Sequence, residues 1–174
     1  MLDTGYKQAI FTKVECLTYL CHIYLRYEYK PFSATPYARR LMESYPNNPT
    51  FRAHYAEALT LSKRYAKAEP FVEELINGNT EYFAYVGMIF KGEKKEKGDK
   101  NYVEALAIYK GADSKGDNLE MRNSHFDSIL YCGLGRTYLE LGESAKAKDY
   151  FKLASKKAEY SWVRDEAKKF LNQL

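Results

Sequence analysis

Apolar positions recur at helical spacing along almost the whole chain, and no stretch alternates like a half-buried strand bounded by hairpin turns. Between residues 5 and 30, Ile10, Val14, Leu17, Cys21 and Leu25 fall on one helical face, widened by Tyr19, Ile23 and Tyr27. Pro31 should stop this helix, since it has no amide hydrogen and its ring clashes with the preceding turn. Thr35-Pro36 reads as a cap and a first-turn proline, so a second helix is expected there, burying Ala38, Leu41 and Met42. Tyr55, Leu59, Val72 and Leu75 mark the next pair of helices, in which Pro70 should kink or delay the second. Gly87 and Phe90 predict another helix, and Ala105, Tyr109 and Ala112 its successor. The stretch between them, residues 91–101, reads KGEKKEKGDKN and is expected to be a solvated loop of mixed charge.

The pattern sharpens towards the carboxyl end. Leu134, Tyr138 and Leu141 form an i, i+4, i+7 stripe. Gly142 is placed to end that helix, and Ser144 to cap the next. A last helix over 161–174 carries Trp162, Val163, Ala167, Phe170 and Leu171 on one face, with Lys168, Lys169, Asn172 and Gln173 on the other. Such a half-polar helix suits the end of a stack, where one face must meet water. Small residues also recur: Ala56 and Ala68 are twelve apart, as are Gly135 and Ala147, and His22 and Ala34 lie 34 residues before the first of these pairs. Gly87 and Ala105 are eighteen apart, as if six residues had been added between two helices. Gly135 and Ala147 are expected where their helices touch. The spacing predicts one repeat array over 1–174, with units at 5–48, 49–79, 80–117 and 123–157 and a closing helix at 161–174.

In the fourth unit, Tyr131, Leu134, Gly135 and Tyr138 stand at the spacing W-x2-L-G-x2-Y, with Tyr in the Trp place, and Ala147 and Phe151 supply A-x3-F. This segment resembles a tetratricopeptide repeat, a helix–turn–helix unit of about 34 residues, and the longer third unit is similar to bacterial variants of it. The resemblance implies an all-α, right-handed solenoid of antiparallel helix pairs whose first helices line a concave groove. The groove positions that it implies include Tyr19, Ile23, Arg26, His54, Glu57, Tyr85, Met88 and Arg136. Relatives that grip the carboxylate end of chaperone tails need Lys, Asn and Arg in the groove. Tyr19, Ile23, His54, Glu81 and Tyr85 occupy those places here, so the carboxylate clamp is not carried over. The remaining groove would suit a helix or an extended apolar peptide. The expectation is a scaffold for protein interaction, not an enzyme. The alternative is a homodimer stacked through the amino-terminal end, where residues 6–16 read as a helix in mid-array and hint at further helices upstream.

Composition narrows the remaining classes. Lys plus Arg number 27 against 23 Asp plus Glu, and the excess is scattered. Lys146, Lys148, Lys152, Lys156 and Lys157 cluster but are interrupted by Glu143, Asp149 and Glu159, so a solvated helix face is expected and no nucleic acid. Cys16, Cys21 and Cys132 make no even-numbered disulfide framework and read as reduced. The first residues show no signal peptide, and no apolar run spans a bilayer, so a cytoplasmic protein with no membrane insertion is expected. The seventeen tyrosines read as aromatic core positions whose hydroxyls reach the rim. His22, His54 and His125 lie in separate units, and Cys16, Cys21 and His22 fall on different helix faces, so no metal site is expected. Residues 133–136 look superficially like a phosphate loop but lie inside a helix. No cofactor or catalytic residue is predicted.

Overall fold

The computed structural model describes residues 13–120 and 122–174. The described residues form helices joined by short turns, with no strand among them. The expected helix over residues 5–12, Ile10 included, lies outside the described residues. The chain divides into two compact units, Met1–Phe71 and Val72–Leu174.

In the first unit, α1 (Lys13–His22) runs on into a π-helical turn, Ile23–Tyr27. α2 (Pro31–Ser44) and α3 (Pro49–Leu61) follow, and the unit ends within α4 (Tyr65–Ile76). α1 packs on α2, and α2 on α3. Leu17, Cys21, Leu25, Ala34, Ala38, Leu41 and Ala58 form their core. Asn48 caps α3 by accepting from the Thr50 and Phe51 amides.

Two proline expectations need correction. Pro31 does not merely stop α1; it opens α2 as its first residue, so the helix begins five residues before Pro36. Pro36 and Pro70 are each the sixth residue of their helix, and neither shifts its start. The carbonyls that they deprive of a hydrogen bond belong to Phe32 and Ala66, both exposed, where water can supply the missing donor.

The second unit holds the end of α4, then α5 (Glu81–Glu93), which continues into a second π turn, Lys94–Gly98. α6 (Tyr102–Asp117), α7 (Ser124–Glu140), α8 (Ser144–Lys157) and α9 (Ser161–Leu171) complete it. Each helix from α5 onward packs on the next, while α5 also touches α7 and α7 touches α9. The segment expected as a solvated loop is thus mostly helix, with Glu93 and Glu96 buried at 3% and 4% exposure. Gly87 is placed against Val72, Leu75 and Ile76, while Gly92 meets Tyr109 of α6. The apparent six-residue insertion is therefore taken up largely by the π turn that prolongs α5.

One local rule governs the turns inside the helix pairs. Tyr29, Lys63, Lys100 and Gly142 have left-handed backbone, at φ 47°, 60°, 56° and 80°. Five residues after each comes a buried alanine: Ala34, Ala68, Ala105 and Ala147. The next inward positions follow at +4 and +7: Ala38 and Leu41, Val72 and Leu75, Tyr109 and Ala112, Phe151 and Ala154. Gly142 ends α7 as expected, with the Glu143 amide donating to the Tyr138 carbonyl at 2.9 Å. Ser144 is not the cap. It is the first residue of α8, and Glu143 precedes it without a side-chain cap bond. Gly135 makes room for the Phe151 ring, since a Cβ there would lie 2.7 Å from it. α9 has the two faces expected of it, Val163 and Ala167 being fully buried and Lys168, Lys169, Asn172 and Gln173 exposed.

Candidate functional site

The first unit presents an aromatic face along α1. Tyr19 and Tyr27 are 61% and 69% exposed, with Ile23 half-buried between them. With Val14, Glu15, Thr18 and His22 they line an open cleft of about 430 Å³. The extra residue per turn in a π turn keeps Tyr19, Ile23 and Tyr27 close to one line.

Beneath that face the other expected groove residues of this unit occupy one another. Arg26 holds the fully buried Glu57 of α3 with both ends of its guanidinium: Nη1 donates to Oε1, and Nη2 to Oε2 at 2.8 Å. His22 and His54 meet edge to face at 5.6 Å. Burial, together with Arg26, lowers the pKa of His22, although Glu57 opposes it. Burial also takes His54 down to about 4, against the pull of Glu57. The buried Nδ1 of His54 has no hydrogen-bond partner. These neutral imidazoles and the satisfied ion pair are interior chemistry.

Tyr85 and Arg136 of the second unit are interior as well. Arg136 of α7 donates from Nε to Glu96 Oε1 at 2.6 Å, from Nη2 to Glu96 Oε2 at 2.9 Å and to Glu93, and from Nη1 to Glu166 of α9 at 3.0 Å. Lys97 reaches the other oxygen of Glu93 at 2.7 Å. Burial alone would raise the Glu93 carboxyl, but Lys97 and Arg136 overcome it and hold it at about 2. Tyr109 donates to Glu96 at 2.9 Å, and its ring lies between two glycines: a Cβ at Gly92 or Gly133 would come within 2.4 or 2.5 Å of it. Burial, then Glu93 and Glu96, keep that phenol protonated.

A second polar cluster surrounds Asp127, which is fully buried on α7. Its Oδ1 accepts from the Tyr85 hydroxyl and from Arg122 Nε, each at 2.7 Å. Met88 is half-buried, its methyl close to Gly111. Of the eight residues expected on a groove, Tyr19 is exposed and Ile23 and Met88 are half-buried, while Arg26, His54, Glu57, Tyr85 and Arg136 are buried.

Burial, with help from Glu57, pushes the Cys21 thiol up to about 12, and burial does the same to Cys132, so neither is a ready nucleophile. No group of three metal-ligating side chains comes together among the described residues. No helix of the described residues is long and apolar enough to cross a membrane. Sequence reasoning missed Glu93, Glu96, Arg122 and Asp127. A signal for two of them existed: Phe90, Glu93 and Glu96 keep a three-residue step that continues the buried side of α5. Compared with known proteins, the chain matches no family model, no curated protein and no solved structure.

Proposed function

We propose that this chain is a tetratricopeptide-like, right-handed solenoid of antiparallel helix pairs, and that it is a non-catalytic scaffold binding a protein partner. The repeat reading is supported by the buried alanine five residues after each left-handed turn, with Phe151 or its equivalents four residues later. It is also supported by the contacts of α5 with α7 and of α7 with α9, since stacked units bring alternate helices together. Cytoplasmic placement belongs to the same reading.

The binding reading rests on one observation, the exposed line of Tyr19, Ile23 and Tyr27. Tyrosine is among the residue types that most often anchor interfaces, and half-exposed rings on a helix suit an amphipathic helix or apolar peptide. The same face, close to the amino end, also favours the alternative of a second copy stacking there. The double variant Tyr19→Ser, Tyr27→Ser tests both. Its melting temperature should fall by no more than a few degrees, because both rings are mostly exposed. Capture of partner protein should fall at least about tenfold, the loss of two interface anchors being worth more than 1.4 kcal/mol. If sedimentation shows a concentration-dependent dimer that the variant abolishes, the partner is another copy. Unchanged capture together with unchanged sedimentation would refute the assignment of this face.

A further inference from the structure

The charge excess that looks scattered along the sequence has an address once the two units are known. Met1–Phe71 holds ten Lys and Arg against six Asp and Glu, while Val72–Leu174 holds seventeen of each. Exposed aromatic rings divide the same way. Among the described residues they are Tyr19, Tyr27, Tyr29, Phe32 and Tyr45, all in the first unit, whereas the large exposed apolar residues of the second are aliphatic.

The two surpluses meet at one tip. The turn from α1 into α2 carries Tyr29 and Phe32, 39% and 59% exposed, with Lys30 between them. The turn from α3 into α4 carries Lys63 and Arg64, and Lys67 follows in the first turn of α4. Arg64 joins the two turns, its guanidinium carbon lying 4.4 Å from the centre of the Phe32 ring.

These cations do little for the fold. Lys63, Arg64 and Lys67 form no salt bridge among the described residues. Lys30 has one, with Glu28 at 2.7 Å, but both partners are exposed, where an ion pair contributes little. Lys30 also stands just before α2, and Lys63 and Arg64 just before α4, and neither helix has an acid in its first turn. The macrodipole disfavours a cation at that end. Exposed rings beside unneutralised cations are a cost that an anionic, partly apolar surface outside the chain would relieve.

Three such surfaces differ in what they require. Single-stranded nucleic acid needs open ring faces on which its bases stack, and one face of Phe32 already lies under Arg64. A peptide needs a groove or a sheet edge, whereas these rings and cations stand on two turns at the ends of helices. The headgroup layer of a bilayer needs no shaped pocket. Aromatic rings settle at its boundary, and Lys and Arg reach its anions on flexible stems.

We propose that Tyr29, Lys30, Phe32, Lys63, Arg64 and Lys67 form a docking tip for the anionic surface of a lipid bilayer. The first unit touches that surface without crossing it, no helix of the described residues being long and apolar enough to span one. The tip shares no residue with the line of Tyr19, Ile23 and Tyr27, so the two assignments stand or fall separately.

The test is co-sedimentation of the full chain with phosphatidylcholine vesicles, with and without about one-third phosphatidylserine. The chain should pellet with the anionic vesicles and stay in solution with the neutral ones, and about 0.5 M NaCl should release it. Lys63→Gln with Lys67→Gln should weaken binding at least about tenfold, each basic side chain near such a surface contributing roughly fivefold. Tyr29→Asn with Phe32→Ser should weaken it about as much, through lost burial of the rings. Lys168→Gln with Lys169→Gln, exposed on α9, removes the same charge elsewhere and should change binding less than about twofold. No pelleting with the anionic vesicles, an aromatic variant that binds like the parent, or an equal loss from the α9 pair would overturn the tip. Retention on oligouridylate or poly-glutamate resin with no pelleting on vesicles would overturn the bilayer as its occupant. Should circular dichroism show that the aromatic variant does not fold, the Lys63, Lys67 pair measured against the α9 pair decides the matter.

Discussion

Replacing Arg136 by methionine should strip the second unit of its most connected side chain. Four hydrogen bonds to Glu93, Glu96 and Glu166 vanish, while Glu93 and Glu96 remain at 4% and 5% side-chain exposure. Glu93 keeps Lys97 and Glu96 keeps the Tyr109 hydroxyl, so neither is left bare. Breaking a buried ion pair by removing one partner typically costs about 3–5 kcal/mol, most of it the penalty of a stranded charge. About 4 kcal/mol is the expectation here, or roughly 8–16 °C in melting temperature for a chain of this size. Urea denaturation followed by circular dichroism measures it directly. A triple variant, Arg136→Met with Glu93→Gln and Glu96→Gln, should recover more than half of the loss, since neither of the two buried carboxylates then needs a cation and Glu166 is partly exposed. A loss below about 1 kcal/mol for Arg136→Met, or no recovery in the triple variant, would refute the idea that stranded charge dominates.

Three other outcomes follow from the same coordinates. His54 is neutral when folded, with a pKa near 4 against 6.5 unfolded, so its contribution is complete above pH 6.5 and is lost as pH falls towards 4; that loss amounts to about 3 kcal/mol, and stability measured against pH should show a shallower slope in this window for His54→Gln. Glu93 acts in a lower window, its contribution being present above about pH 4.5 and lost towards pH 2. Gly133→Ala would put a methyl 2.5 Å from the Tyr109 ring and should cost about 1–3 kcal/mol in chemical denaturation; a neutral result would mean that the ring can step aside. Lys63→Gly or Lys100→Gly should stabilise by roughly 0.5 kcal/mol, because relief of a left-handed backbone costing about 1–2 kcal/mol exceeds the entropy that glycine loses on folding; a lower urea midpoint would contradict this.

The regular features were readable from residue order alone. Helical spacing of Leu17, Cys21 and Leu25, the buried run Ala105, Tyr109 and Ala112, and the two faces of α9 all reappear in the structure. Such features depend on which side of a helix meets an apolar neighbour, and that is encoded locally. The misreadings have an equally physical source. A lysine-rich stretch looks like a loop until Glu93 and Glu96 are known to have Arg136, 43 and 40 residues away, as their partner. Charge along a sequence suggests exposure, whereas pairing over long separations permits burial. The repeat resemblance places Arg26, Glu57 and Arg136 on a groove for a different reason, the family's first-helix positions, and pairing buries them all the same. Pro36 and Pro70 misled because the cost of a proline depends on whether water reaches the deprived carbonyl, and sequence does not say.

The fixed interval between left-handed turn and buried alanine also decides where the chain can change length. One residue gained or lost inside that interval would rotate the following helix by about 100° and turn its alanine away from the core. A residue added upstream can be absorbed differently, as one wide turn at the end of the preceding helix, and a π turn is such an accommodation. Ile23–Tyr27 and Lys94–Gly98 are two such turns, and both lie just before a left-handed residue. For anyone building chimaeras or inserting a tag, the five residues that follow each left-handed residue are the stretch to leave alone.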